Sequence, residues 1–124
     1  MKKPILCLDF DGVCHSYTSG WKGAAVIPDP PVLGLWEFLA AACYEFEVDI
    51  FSSRSNQPGG IVAMKNWFNQ HCPQWCQWIL SELYFPTEKP PAFVGLDDRV
   101  VTFTGKWPEV KALREFKTWN AKAV

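Results

Sequence analysis

Three short apolar runs in this chain each stop abruptly in acidic or hydroxyl-bearing residues, and helical periodicity fills the stretches between them. That alternation constrains the fold more than any other feature. The first run, Ile5-Leu6-Cys7-Leu8, gives way to Asp9-Phe10-Asp11-Gly12. It is apolar throughout, as befits a strand covered on both faces. Residues 47–52 alternate towards a second strand that runs out into Ser52, Ser53, Arg54, Ser55 and Asn56, and residues 92–96 form a third that ends in Asp97, Asp98 and Arg99. Between the first two, Leu35, Trp36, Leu39, Ala42 and Cys43 recur at helical spacing over 32–44, with Asp29, Pro30 and Pro31 as a start signal. A second helix opens at Gly59 and Gly60, runs through Met64, Trp67 and Phe68, and is broken after His71 by Cys72 and Pro73.

The remainder reads less sharply. Residues 75–83 suggest a short helical piece, Tyr84 and Phe85 a brief strand, and 100–103 a further strand. Trp107, Val110, Leu113, Phe116 and Lys117 trace the face of a last helix. Residues 16–31, rich in Gly and Pro among aromatic and branched residues, predict a loop or β-flap directly after the acidic pair. Strands alternating with helices predict a three-layer α/β domain with a mostly parallel sheet. At 124 residues the chain is expected to form a single domain over 1–124, burying roughly two thirds of its unfolded surface.

Composition narrows the partners. Twelve basic residues against thirteen acidic ones give no footprint for a polyanion, so any affinity for nucleic acid has to be local. Asp9 and Asp11 interrupt the only N-terminal apolar stretch, and no run approaches a membrane span, so neither a signal peptide nor membrane association is expected. Five cysteines, an odd number partly inside apolar runs, favour reduced thiols and a cytoplasmic location.

In a parallel sheet the strand ends share one edge, which is where open α/β sheets bind ligands. Asp9 and Asp11 share a side if the extended geometry persists through Phe10. Together with Asp97 and Asp98 they would repel strongly unless they hold a cation, and an oxygen-only donor set suits Mg²⁺. With Ser52 on the neighbouring strand and Lys89 in the preceding loop, the set reads as a phosphate site.

Four motifs in order, DFDGV at 9–13, FSS at 51–53, Lys89 and LDDR at 96–99, resemble those of the haloacid dehalogenase superfamily of phosphohydrolases, over nearly the whole chain. The stretch KPPAFVGLDDRVVTFTGKWP is similar to small phage and bacterial members related to nucleotidases and to the phosphatase domain of polynucleotide kinase. The resemblance implies a Rossmann-like core without a cap domain. It makes Asp9 the nucleophile that forms an aspartyl-phosphate, and Asp11 the acid that protonates the leaving oxygen and then the base that activates water. Ser52 would donate to a phosphoryl oxygen and Lys89 would offset its charge. Mg²⁺ would bind the Asp9 carboxylate, the Asp11 carbonyl and Asp97 or Asp98, with Asp98 preferred. An open, capless site implies a large substrate, a nucleotide or a nucleic-acid end. A member that binds and assists a partner with little turnover is the alternative.

Other residues carry weaker expectations. Gly12 lets the chain turn away with no side chain in the pocket, Ser53 leaves the serine register open by one residue, and Arg54 is a candidate for contact with a substrate phosphate or base, or for a salt bridge to a neighbouring acid. Arg99 is as readily structural. Cys14 and His15 are expected to line the pocket rather than act as a catalytic pair. His71, Cys72 and Cys76 lack a second ligand pair for zinc and are expected to pack. Trp21, in the flap, is placed to stack on a base.

Overall fold

β1, Ile5–Leu8, lies at the centre of a four-stranded sheet and pairs in parallel on both sides. The structure, a computed structural model, describes residues 2–96 and 103–115. Its elements run β1, α1 (Leu35–Glu45), β2 (Glu47–Ile50), α2 (Gly60–His71), a 3-10 segment (Gln74–Ser81), β3 (Leu83–Tyr84), β4 (Val94–Leu96) and α3 (Val110–Arg114). Among the described residues the strand order is β3-β2-β1-β4, and the three pairings between these strands are parallel. No helix among the described residues is long and apolar enough to cross a membrane.

Register explains the core. Leu83, Val48, Leu6 and Val94 stand in one row across the sheet, with Ile50, Leu8 and Leu96 in the next. In parallel strands such partners face the same side, and all seven are buried in one cluster with the apolar faces of α1 and α2. α1 contributes Leu35, Trp36, Phe38, Leu39, Ala42 and Cys43, the spacing of a single helical stripe. Phe10, just past β1, meets Trp67 edge-on at 5.1 Å and packs on Phe68 at 5.8 Å, which ties the end of the strand to α2. The opposite face carries Cys7, Asp49 and Gly95 in register, with Tyr84 beyond.

The structure sharpens several element boundaries. α1 starts at Leu35 rather than at 32, because the turn before it is made by Gly34 in a left-handed conformation (φ 90°) with no side-chain cap. A Cβ there would also come within 2.8 Å of the Trp107 ring. Trp107 itself precedes α3 rather than lying on it. Its indole N–H donates to the Leu33 carbonyl at 2.7 Å and its ring stacks on Phe38 at 4.7 Å, so the last described segment docks on α1. The helical piece at 75–83 is a 3-10 segment with a kink at Cys76. The described helices α1 and α2 share one core on one face of the sheet. The expected strand at 100–103 lies almost wholly outside the described residues, as do Phe116 and Lys117 of the expected last helix.

Candidate active site

The strand order turns at β1: its successor β2 lies on one side and β4 on the other. A crevice outside the carboxyl ends of the strands forms at such a switch point. Pairing continues one residue past the strands, with the Asp9 N–H reaching the Leu96 carbonyl (3.3 Å) and the Phe51 N–H reaching that of Leu8 (3.1 Å). Asp9 therefore sits at the edge between β2 and β4. It is half-buried, and its Oδ1 accepts the N–H of Phe10 at 2.8 Å.

Beyond Asp9 the chain curls tightly. The Phe10 carbonyl accepts the N–H groups of Val13, Cys14 and His15, while the Gly12 N–H returns to the His15 carbonyl at 2.8 Å. The Asp11–His15 bridge thus uses the groups on either side of Asp11 and leaves the Asp11 carbonyl out of the pairing. Gly12 has φ 81°, and a Cβ on it would meet nothing within 4 Å. Glycine is required there by the left-handed turn rather than by crowding.

Asp11 is gripped from two sides. Arg54 forks onto it, with Nε 2.9 Å from Oδ2 and Nη2 3.1 Å from Oδ1, and His15 Nδ1 lies 2.9 Å from Oδ1. The same guanidinium donates through Nη1 to the carbonyls of Gly23, Ala24 and Val26 at 2.8, 2.9 and 3.2 Å. Arg54 is 0% exposed. Of its two expected roles the structure shows the salt bridge to an acid, and the same side chain fastens the flap to Asp11. Trp21 lies over this guanidinium, 4.6 Å from ring centroid to Cζ, and is 46% exposed.

Ser52 follows β2 and is almost fully buried, and its Oγ accepts the N–H of Arg54 at 3.0 Å. An accepted bond occupies a lone pair and leaves the hydroxyl proton to donate. Ser55 Oγ closes the turn by accepting the Ser52 N–H at 3.0 Å, whereas Ser53 is exposed. Gly60 brings α2 against this turn so closely that a Cβ would land on the Arg54 carbonyl.

Cys14 and His15 are both fully buried, so they lie beneath the turn and do not line a pocket. Burial first, and then the charges of Asp9 and Asp11, hold the Cys14 thiol well above the usual range. It donates to the Asp9 carbonyl at 3.4 Å. The involvement of His15 went unforeseen, although its spacing of four from Asp11 across a glycine turn was the available signal. Cys72 and Cys76 face each other at 3.8 Å between sulfurs, and His71 packs on Trp67 at 4.8 Å.

Lys89 is exposed in the loop before β4, and among the described residues no hydrogen bond or ion pair holds its ammonium. Asp97, Asp98 and Arg99 lie outside the described residues. Among the described residues no three His, Cys, Asp or Glu side chains gather as a metal-binding group. The site is thus an acidic strand edge at the switch point of a parallel α/β sheet, with a flap latched to Asp11 through a buried arginine. No family model matches the chain, and no curated protein or solved structure does.

Proposed function

We propose that the chain is a magnesium-dependent phosphomonoesterase of the haloacid dehalogenase type, a capless core acting on a nucleotide or a nucleic-acid terminal phosphate. The observation that carries this reading is the placement of Asp9 and Asp11 past the carboxyl end of the central strand, at the switch point, with Ser52 just past the end of the next strand. Asp9 attacks phosphorus, the bond to the leaving oxygen breaks, and Asp11 supplies that oxygen's proton. Asp11 then takes a proton from the water that cleaves the aspartyl-phosphate. Ser52, with its lone pair occupied by the Arg54 N–H, offers its O–H to a phosphoryl oxygen. Lys89, exposed in the loop before β4, would offset the charge of the same phosphate.

For the cation, the Asp9 carboxylate and the Asp11 carbonyl, which stands outside the pairing of the turn, are hard oxygen donors of the kind Mg²⁺ prefers, with Asp97 or Asp98 as the remaining ligand. Bound there, Mg²⁺ would screen the approach of one anion to another. The flap bears on substrate choice, because Trp21 presents an aromatic surface beside the site.

The test is a panel of phosphate monoesters, p-nitrophenyl phosphate and nucleoside monophosphates among them, with and without Mg²⁺. Wild type should turn over at least one of them, and Asp9→Asn should lower that rate by about 10⁴-fold while keeping the fold. Turnover no greater than that of the Asp9→Asn control on every ester ends the phosphatase reading. A second reading draws on the grip of Arg54 and His15 on Asp11. Such a carboxylate also suits a binding or accessory protein that retains the site with little turnover. Mg²⁺ binding without hydrolysis of any ester would favour it.

A further inference from the structure

We propose that His15 is a positioning residue for Asp11, fixed as the Nδ1–H tautomer by the main chain, and that it leaves Oδ2 as the oxygen through which Asp11 exchanges its proton. The inference rests on the phosphatase reading of the same site.

The tautomer follows from polarity. His15 Nε2 lies 3.1 Å from the backbone nitrogen of Asp29, whose N–H points at it. A backbone N–H only donates, so Nε2 is the acceptor and the proton of the neutral ring sits on Nδ1. Nδ1 in turn faces Asp11 Oδ1 at 2.9 Å. The Asp29 carboxylate stands 3.5 Å from Nε2, beyond a good hydrogen bond. It is already engaged by the Ser19 N–H at 2.8 Å and the Ser19 hydroxyl at 2.6 Å.

The ring has no freedom to turn. His15 is fully buried, stacked on Phe10 at 5.5 Å, with Trp67 at 5.8 Å and Tyr17 at 5.9 Å edge-on. Asp29 is held in its turn, since its carbonyl accepts the Trp67 indole N–H at 2.9 Å. A chain of fixed groups thus runs from α2 and the flap to one oxygen of Asp11.

The two carboxylate oxygens are consequently unequal. Oδ1 receives His15 Nδ1 and Arg54 Nη2 at 2.9 and 3.1 Å, together with the longer arm from Nε at 3.2 Å. Oδ2 receives Arg54 Nε at 2.9 Å. A carboxylate oxygen has about two lone-pair sites. Arg54 sets the plane of the carboxylate; His15 fills Oδ1 and so leaves Oδ2 with acceptor capacity for a proton.

Two substitutions separate positioning from packing. His15→Phe keeps the aromatic box but has no donor, while His15→Asn restores an N–H near the Nδ1 position and gives up the ring. If His15 only packs, Phe is the better tolerated in both melting temperature and kcat. The positioning role predicts a crossed result with p-nitrophenyl phosphate and Mg²⁺. His15→Phe should be the more stable variant yet lose about tenfold to a hundredfold in kcat with KM little changed, and His15→Asn should recover most of that loss. A kcat for His15→Phe equal to wild type, or above that of His15→Asn, overturns the proposal. Independently of turnover, imidazole ¹⁵N–¹H spectra of the full chain at neutral pH should show His15 protonated at Nδ1. Protonation at Nε2 alone overturns the inference while leaving the phosphatase reading standing. Wild type inert on every ester, with the Nδ1–H tautomer seen, removes the phosphatase reading and the catalytic half of the inference with it.

Discussion

Arg54 shows how much one side chain can hold. Its guanidinium, 0% exposed, reaches the Asp11 carboxylate and three flap carbonyls, so it joins the β2 end, the turn after β1 and the flap. Removing one partner of a buried ion pair leaves the other charge without compensation, which costs about 3–5 kcal/mol. Arg54→Met should lower stability by about that amount in urea unfolding, and Arg54→Lys by less, because one ammonium cannot fork onto Asp11 and reach the carbonyls as well. A loss under about 1 kcal/mol for Arg54→Met would mean that the flap is held by other contacts. The sequence supplied the position of Asp9, Asp11 and Ser52 through strand-end placement. It had no means of placing Arg54, since an arginine after a strand reads equally as substrate contact or as ion pair until the flap's carbonyls are located. His15 was hidden for a similar reason, because its partner Asp29 is fourteen residues away along an irregular loop.

At the scale of elements, glycines do two different jobs around the site. Gly60, the first residue of α2, lies where a Cβ would strike the Arg54 carbonyl, so it sets how closely the helix approaches the β2 turn. Gly12 has open space around it and needs only its left-handed φ of 81°. Gly12→Ala should therefore cost about 1–2 kcal/mol of backbone strain, visible as a modest shift in the urea midpoint. Gly60→Ala must push α2 away from the turn that carries Ser52 and Arg54, and should cost several times more. Equal losses at the two positions would contradict this division. The strands and helices themselves were legible because periodicity and strand-end polarity are local signals: β1 and the last residue of α2 fall where those patterns put them. The start of α1 was misplaced because its turn depends on Gly34 fitting against Trp107, a contact between residues seventy-three apart.

For the molecule as a whole, the face of the sheet away from the α1 and α2 core carries a titrating group that the proposed chemistry does not use. Asp49 stands on β2 in register with Cys7 and Tyr84, is 4% exposed, and has an Oδ1 with no hydrogen-bond partner. Burial, reinforced by Glu47 two residues away on the same face, pushes its carboxyl up to about 7. In the unfolded chain an aspartate releases its proton near about 3.9. Between those values the folded protein binds a proton that the unfolded chain has lost, so stability falls as pH rises through this window and levels off above it. Asp29 works in the opposite sense. Hydrogen bonds from Ser19 hold its carboxyl below the usual range, and the stability it contributes is lost as pH falls through its lowered folded-state value. Comparing wild type with Asp49→Asn at each pH cancels the Asp29 contribution, because both proteins retain it. Asp49→Asn should be the more stable of the two at pH 8, and its advantage should shrink steadily as pH drops from about 7 towards about 4, read from urea midpoints across that range. An advantage that stays constant with pH would show that Asp49 is ionised in the fold throughout, with its charge compensated on that face of the sheet.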